Sequence, residues 1–569
     1  MGQSIETSVL IAGAGPVGLT LAMDLAWRGI DVVVVECRHA REPPRVRSNH
    51  VSARSMEIFR RLGIAAKVRS VGLPDEYSND VCFRTTATGI ELARIPIPSR
   101  ANRYTAAGPD SWWPTPEPPH RVNQIYLEPL LLALAAAQPR VRILHRCRLE
   151  EFVQTEGEVI ATVRNLASGD TFSASCQYLA GCDGGRSTVR KGIGVKLTGT
   201  AVIQRVQSTY IRAPELLSLI PGKPAWLYQL RNPRRCGIVF AIDGRERWLV
   251  HNHLSDEEAS FDSVDRDWSI RTILGVGPDF RYEVISKEDW IGRRLVADRF
   301  RDRRVFICGD AAHLWIPYAG YGMNAGIADA ANLSWLIAAV SSGWASPAIL
   351  DAYEAERRPI TEQVSRFAMD MALKSMDQRR ETPIEIEWSG PIGDATRARI
   401  GKEAYRLNVQ QYCCGGLNFG YFYDGSPIIA YDGEPHPAYT MYDFAQSSVP
   451  GCRAPHVWLG DGRALYDALG PDYTLIRFDP TASTEGLVHA AARHGVPLAV
   501  LDIEAADARA IYARNLVLVR PDQHVAWRGN DEPAEPNDLI DLVRGPTSHG
   551  RAKPRDGVID TKPIRRRLR

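Results

Sequence analysis

Residues 8–36 read SVLIAGAGPVGLTLAMDLAWRGIDVVVVE, and no other stretch constrains the fold as tightly. Val9–Ala12 have the apolar run of a short buried strand. Pro16–Arg28 follow helical periodicity and stop at Gly29, and Asp31–Val35 form a second continuous apolar run. Strand, turn, helix and strand within about thirty residues predict the start of a doubly wound α/β sheet. Between strand and helix stand Gly13, Gly15 and Gly18, in G-x-G-x-x-G spacing, with Pro16 opening the helix. Gly13 permits the tight turn, Gly15 lets the backbone approach a pyrophosphate, and Gly18 lets helix and strand pack closely. The phosphates then meet free N–H groups at the helix N-terminus. Glu36, with Cys37 beside it, falls at the end of the second strand, where a carboxylate accepts ribose hydroxyls. NAD and FAD both satisfy this pattern.

A chain of 569 residues exceeds one simple core, and 44% hydrophobic with 24% charged residues is ordinary globular composition. The net charge of +2 gives no reason to expect nucleic acid or an acidic surface as partner. The ten cysteines include no C-x-x-C pair and no metal-ligand spacing, which predicts reduced thiols, a cytoplasmic location and no metal. Val9–Trp27 is apolar, but its leader lacks a basic region and the stretch holds three glycines, Pro16 and Asp24, so no membrane span is expected.

Two later apolar segments belong with the first sheet: Tyr178–Ala180, running into GCDGGRSTVR, and Val305–Cys308, running into GDAAHLWIPYAGYGMN. Between them, GIVFAI and RWLVHNHL alternate as an antiparallel sheet with one covered face does. The pattern predicts a discontinuous nucleotide domain (1–80, 105–198 and 291–370) with an inserted substrate domain (81–104 and 199–290). A connecting segment of weak periodicity follows over 371–440, then a second small α/β pattern over 441–548 and a basic tail over 549–569. Asp183 and Asp310 fall at strand ends, placed to bond ribose or ribityl hydroxyls. Gly320, Gly322 and Asn324 open a helix whose positive end suits a negatively charged reduced flavin.

The trio GAGPVGL, GCDGGRSTVR and GDAAH…P…G-x-G-M-N resembles the group A flavoprotein aromatic hydroxylases, in the phenol and dichlorophenol hydroxylase branch of the para-hydroxybenzoate hydroxylase family. The likeness extends to NHVSARSMEIFRRLGI, HRVNQIYLEPLL and DAYEAERRPI, and so covers roughly residues 5–360. It implies a Rossmann-like, GR2-type FAD domain, an antiparallel-sheet substrate domain and a C-terminal thioredoxin-like domain without redox cysteines. It also implies FAD, O2 and a transient NADPH or NADH, a small aromatic substrate, and a homodimer. Carried over by position, Arg47 matches the residue at the FAD phosphates, Gln124 the flavin-contacting glutamine, and Asp310 the ribityl aspartate. Asp183 is linked to FAD and NAD(P)H, Gly320, Gly322, Met323 and Asn324 to the flavin loop, and Pro317 to a carbonyl near substrate. His313 shapes that loop in the family and is read as no base, although its neighbour Asp310 suggests a dyad.

The implied reaction delivers oxygen from a flavin C4a-hydroperoxide to an activated ring, with the protein supplying position, charge and dryness. Phenol activation calls for a base or acceptor near the hydroxyl. His50 matches the histidine of the dichlorophenol branch and is expected to titrate near the ordinary value of about 6.5, or else to pack under the flavin. Tyr228, His251 and His253 on the antiparallel sheet, and Tyr318 and Tyr321 on the flavin loop, are further substrate candidates, of which about half should face away from the pocket. Ile316, Ala319 and Tyr321 depart from the usual loop P-P-x-G-G-x-G-x-N, and Ala319 limits the freedom for positive φ. Two other chemistries stay open: Baeyer–Villiger or epoxidising oxygenation of a polyketide-like substrate, and a FAD dehydrogenase that inserts no oxygen.

Overall fold

A computed structural model describes residues 4–504 and 506–545; the basic tail 549–569 lies outside the described residues. Strand Ser4–Ala12 pairs in parallel with Val32–Glu36 on one side and Thr171–Gly181 on the other. Val141–His145 and Val305–Ile307 extend the parallel sheet at its two edges. Val32–Glu36 is buried throughout, as expected of an unbroken VVVVE run covered on both faces. Helix Pro16–Trp27 starts with proline at its first turn and ends before Gly29, whose φ is +83°. This unit was legible in the sequence to within a few residues.

The second sheet is mixed and larger than the expected insertion. Its strands come from Val81–Arg84, Glu91–Ile95, Leu197–Arg212 and a series running through Trp290–Ala297, and His313–Trp315 closes one edge. That last strand brings the segment after GDAAH onto the antiparallel sheet, so the two sheets meet at the flavin loop. Gly237–Ala241 and Arg247–His253 pair as the alternation predicted.

The connecting segment is more regular than its composition suggests. Helix Asp351–Arg380 runs past residue 371, and Pro391–Tyr412 forms a second long helix. Neither was read from the sequence, because their buried positions include Arg379, Arg397, Asn408 and Gln411, which erase the apolar stripe. A third sheet of four strands, in the order Leu498–Asp502, Tyr473–Arg477, Leu516–Val519 and Val525–Gly529, carries the C-terminal region. It docks through buried charge. Glu57 accepts from Arg54 and Arg453, and Glu356 accepts from Arg520, which also pairs with Asp522.

Candidate active site

The carboxyl ends of the parallel strands and the flavin loop define one cleft. Gly13 holds φ +102°, and a Cβ there would lie 2.4 Å from the Cys182 carbonyl oxygen. A Cβ on Gly18 would lie 2.0 Å from the Gly13 carbonyl oxygen. Both glycines are therefore demanded by packing. Gly15 differs: it caps the helix with φ −78° and ψ 177°, and nothing lies within 4 Å of where its Cβ would project. No side chain caps this helix, so its first-turn N–H groups stay available to an anion.

Glu36 ends its strand as expected, and its carboxylate already accepts from the Ala14 N–H at 2.8 Å and from Arg38. Arg38 continues to Glu128 at 2.6 Å, and Gln124 donates to Glu128 at 2.7 Å. Burial would raise the Glu36 carboxyl, but Arg38 and the Ala14 N–H hold it below the usual range. Glu36 and Gln124 thus belong to one polar wall, while Cys37 is exposed beside it. Solvent reaches Asp310. Even so, the protein packed around its carboxyl raises its pKa, against the pull of His313 and Arg47, which puts exposed Arg47 on the same side of the cleft. Asp183 is engaged locally through one oxygen. That oxygen accepts the N–H groups of Thr188 and Val189, capping the short helix Thr188–Gly192, and the other is buried without a partner among the described residues.

In the flavin loop, Ala319 has φ +61°, the strain expected where the usual glycine is replaced, and Gly320 has the same φ. Helix Gly322–Ser341 follows without a side-chain cap, which leaves its positive end open toward the cleft, with Gly322 and half-buried Met323 in its first turn. Asn324 is corrected in role. Its side chain accepts from the Ser52 N–H and the Ser55 hydroxyl and donates to the carbonyls of His50 and Gly320, so the side chain staples the loop and only the backbone N–H in the uncapped first turn is left for a cofactor. Tyr321 is also corrected. Its hydroxyl donates to the Leu417 carbonyl and its ring is buried in a core with Val364, Met371 and Tyr421, which leaves no free hydroxyl for a substrate. Pro317 is exposed on the loop, and the Tyr318 hydroxyl accepts from Arg379 at 3.0 Å. His313 pairs with Asp329 at 2.9 Å, not with Asp310, and Asp329 is also held by Arg357, so the dyad is absent.

His50 does not fit a general base. Its Nδ1 accepts from Arg121 Nη1 at 2.7 Å, which leaves the proton of the neutral ring on Nε2. Burial, with Arg121 and His120 adding charge, drives its pKa well below the ordinary value. Nε2 is buried with no acceptor among the described residues, and the ring lies against Gly320. This geometry suits a neutral His50 that donates from Nε2 beside the flavin loop.

On the antiparallel sheet, register decides between the candidates. Gln229, Ile238, His251 and Ser208 align across four strands, so they share a face. His251 packs edge-on against Phe240 and Trp290, and burial lowers its pKa to about 4. His253 follows two residues on, buried, with both ring nitrogens unpartnered among the described residues. Tyr228 points to the opposite face, beside Trp248, where its hydroxyl accepts the Ala225 N–H at 2.8 Å; its expected substrate contact is corrected. Sequence reasoning missed Arg121, Gln229, Arg231, Arg379 and Tyr412, which complete this chamber. Arg121 donates to the Tyr412 carbonyl and lies 4.7 Å from the Trp226 ring centroid, and Gln229 donates to the Tyr412 hydroxyl. Only Arg121 carried a signal, inside HRVNQ. The others lie on strand Leu227–Leu230, just past its end, and on two helices, without a motif.

A glycine cradle over an uncapped helix end, an acid at the second strand end and Asp310 with Arg47 fit the phosphates and sugars of a flavin dinucleotide. The family model described as a FAD binding domain matches residues 6–368, and the one described as the C-terminal part of aromatic-ring hydroxylases matches 447–545. The chain belongs to the FAD-dependent aromatic-ring hydroxylases. The hydroxylase is 36% identical to the rebeccamycin biosynthetic enzyme RebC solved with reduced flavin, over 96% of this chain and 100% of that one, with a TM-score of 0.87. It is 29% identical to phenol 2-monooxygenase of Pseudomonas sp. (strain EST1001), covering 95% of this chain and 93% of that protein. Aklavinone-11 hydroxylase, solved with FAD and aklavinone, is 26% identical, covers 95% of this chain and 99% of that one, and superposes with a TM-score of 0.78. The hydroxylase has the mixed α/β fold of these enzymes and uses FAD, O2 and a nicotinamide donor. No helix among its described residues is long and apolar enough to cross a membrane.

Proposed function

We propose that this enzyme hydroxylates a phenolic or otherwise hydroxylated aromatic substrate held between the flavin loop and the antiparallel sheet. The carrying observation is a bridge between the two. Tyr318 of the loop accepts from Arg379, which donates in turn to Gln204 of the sheet at 3.2 Å. A ring lying along Phe240, Ile238 and Trp290 then faces the loop. FAD bound along Gly13–Gly18, Glu36, Arg47 and Asp310 supplies hydride and oxygen chemistry. The chain's own groups do the rest. The open end of helix Gly322–Ser341 favours negative charge beside it, and the buried guanidiniums of Arg121 and Arg231 favour a phenolate over a phenol. His50 donates from Nε2 to an oxygen and removes no proton.

In this reading the parallel-sheet half is a Rossmann-like, GR2-type FAD domain, divided from the substrate and C-terminal parts as the sequence suggested. The four-stranded C-terminal unit is thioredoxin-like and lacks redox cysteines: its order, with one parallel and two antiparallel pairings, supports this. The working location is the cytoplasm, with ten unpaired cysteines, and the working assembly a homodimer. Because aklavinone names a relative's ligand, oxygenation of a larger polyketide-like ring system is the second reading.

The test is oxidation of NADH and NADPH against a panel of phenols, hydroxybenzoates and polycyclic phenols, with O2 uptake and products measured together. The proposal expects substrate-stimulated O2 uptake matched by a new ring hydroxyl. A ring-expanded ester favours the second reading, and NAD(P)H oxidation without matched O2 uptake defeats both.

A further inference from the structure

The last turn of helix Pro391–Tyr412 is polar although it is buried: Asn408, Gln411 and Tyr412 are 0%, 4% and 9% exposed. Buried amides are costly unless hydrogen-bonded, and the partners here fix the orientation of each one. Asn408 Nδ2 donates to the Ala404 carbonyl at 2.7 Å, so its Oδ1 faces two glutamines, and both present Nε2 to it. One is Gln411; the other is Gln229 of strand Leu227–Leu230, at 3.3 Å. Gln411 Oε1 is thereby turned toward the flavin loop, where it accepts the Ala319 N–H at 3.4 Å. Gln229 Nε2 also donates to the Tyr412 hydroxyl at 2.8 Å. A string of amides therefore runs from the sheet that bears the substrate chamber, across the helix end, to the flavin loop.

The residue it reaches is the strained one. Ala319 holds φ +61°, a conformation that a side chain keeps only under constraint from its surroundings. Its neighbours are tied as well: Asn324 donates to the Gly320 carbonyl at 2.7 Å, and Tyr321 donates to the Leu417 carbonyl. The tie at Ala319 differs in continuing, through Asn408 and Gln229, to the sheet. The same helix end acts on the loop a second time. The Tyr412 carbonyl, at the negative end of the helix, accepts from Arg121 at 2.8 Å, and Arg121 holds His50, whose ring lies against Gly320. At 3.4 Å the Gln411 bond is longer than a strong backbone bond, so it adds little to folding and its effect is geometric.

We propose that Gln411 is a positioning residue for hydroxylation: with Asn408 and Gln229 it spaces the flavin loop from the substrate sheet, and so sets how the bound ring faces the cofactor. The proposal rests on the hydroxylase reading. Gln411 acts through Ala319 and needs no contact with the substrate. A loop displaced by about an ångström still leaves the ring bound, but the reacting atoms no longer align. NAD(P)H then reduces O2 to hydrogen peroxide and no hydroxyl is added to the ring. The bridge from Tyr318 through Arg379 to Gln204 is separate, so without Gln411 the loop stays attached and its spacing is what changes.

The test uses the FAD-loaded enzyme and the best phenol of the panel. It measures hydroxylated product and hydrogen peroxide per NAD(P)H oxidised, with substrate Kd read from the flavin difference spectrum. Gln411→Leu orphans the Ala319 N–H and no other group of the string, since Asn408 Oδ1 keeps Gln229. It should melt near the wild type and bind substrate within about threefold, yet lose about threefold or more of its product per NAD(P)H, with peroxide making up the difference. Asn408→Leu leaves Gln411 in place but cuts it from the sheet, and should move the ratio the same way. Ala319→Gly takes positive φ at no steric cost, so adding it to Gln411→Leu should restore product. A purely structural glutamine would lower the melting temperature and leave the ratio alone. The proposal is overturned if Gln411→Leu and Asn408→Leu both keep the wild-type ratio, if Ala319→Gly restores nothing, or if product falls only in step with substrate affinity. If the wild type hydroxylates no phenol of the panel, it is the hydroxylase reading which falls.

Discussion

Gly15→Val separates folding from cofactor binding. Gly15 has extended backbone angles that any residue adopts, and no atom lies within 4 Å of its Cβ position, so the apo fold should change by no more than about 0.5 kcal/mol. The valine side chain would instead occupy the space above the first turn of helix Pro16–Trp27, where the pyrophosphate meets backbone N–H groups. Losing roughly two charge-assisted hydrogen bonds at about 1.5–3 kcal/mol each weakens FAD binding by about 3–6 kcal/mol. That corresponds to about a hundred-fold to ten-thousand-fold in Kd. Gly18→Ala is the contrasting control: its Cβ would sit 2.0 Å from the Gly13 carbonyl oxygen, so the fold itself should suffer. Titrating apo protein with FAD, followed by flavin fluorescence, and unfolding the same apo samples in urea measures both quantities. A Gly15→Val enzyme that binds FAD within about threefold of wild type, or whose apo form is clearly destabilised, would refute the reasoning.

Other perturbations test the remaining parts. Ala319→Gly relieves a residue held at φ +61° and should stabilise the protein by about 0.5–1 kcal/mol in urea unfolding. Glu356→Ala leaves the buried Arg520 with only Asp522 and strips acceptors from Asn332 and Ser426, so it should cost about 3–5 kcal/mol and loosen the C-terminal unit first, as seen by hydrogen exchange. Burial lowers His120 to about 3 and His251 and His456 to about 4, with His50 and His253 also well below the ordinary value. The unfolded chain therefore binds more protons below about pH 6.5, and stability should fall on acidification from there toward pH 4, by up to about 1.4 kcal/mol per pH unit for each histidine. A flat stability profile between pH 7 and 5 would contradict this. The same shift predicts that His50→Gln, which keeps an N–H donor, leaves the pH profile of kcat/KM without a lost inflection between pH 6 and 8, measured by steady-state oxidation of NAD(P)H.

Much of the dinucleotide half was legible because its constraints are local. Gly13, Gly15 and Gly18 act within one turn, and Glu36 follows at the next strand end. The flavin loop was half legible. The sequence showed that Ala319 limits the loop's freedom at positive φ, but not that it would adopt φ +61° all the same, and the direction of Tyr321 depended on Leu417, 96 residues further on. Alternation placed His251 and His253 on a strand without saying which face met the cleft, and only the register with Leu197–Arg212 and Leu227–Leu230 turned Tyr228 away from it. His50 was misjudged for a similar reason: its partner Arg121 is remote in sequence and changes both tautomer and pKa. Arg231 and Arg379 gave no signal, since neither falls in a motif.

The most direct measurement of the central claim is a turnover under isotopically labelled O2 with the best aromatic substrate from the panel. The account predicts one labelled oxygen on a ring carbon of the product, with NAD(P)H, O2 and product consumed or formed in equimolar amounts. A product without label, or one formed equally well in the absence of O2, would contradict it.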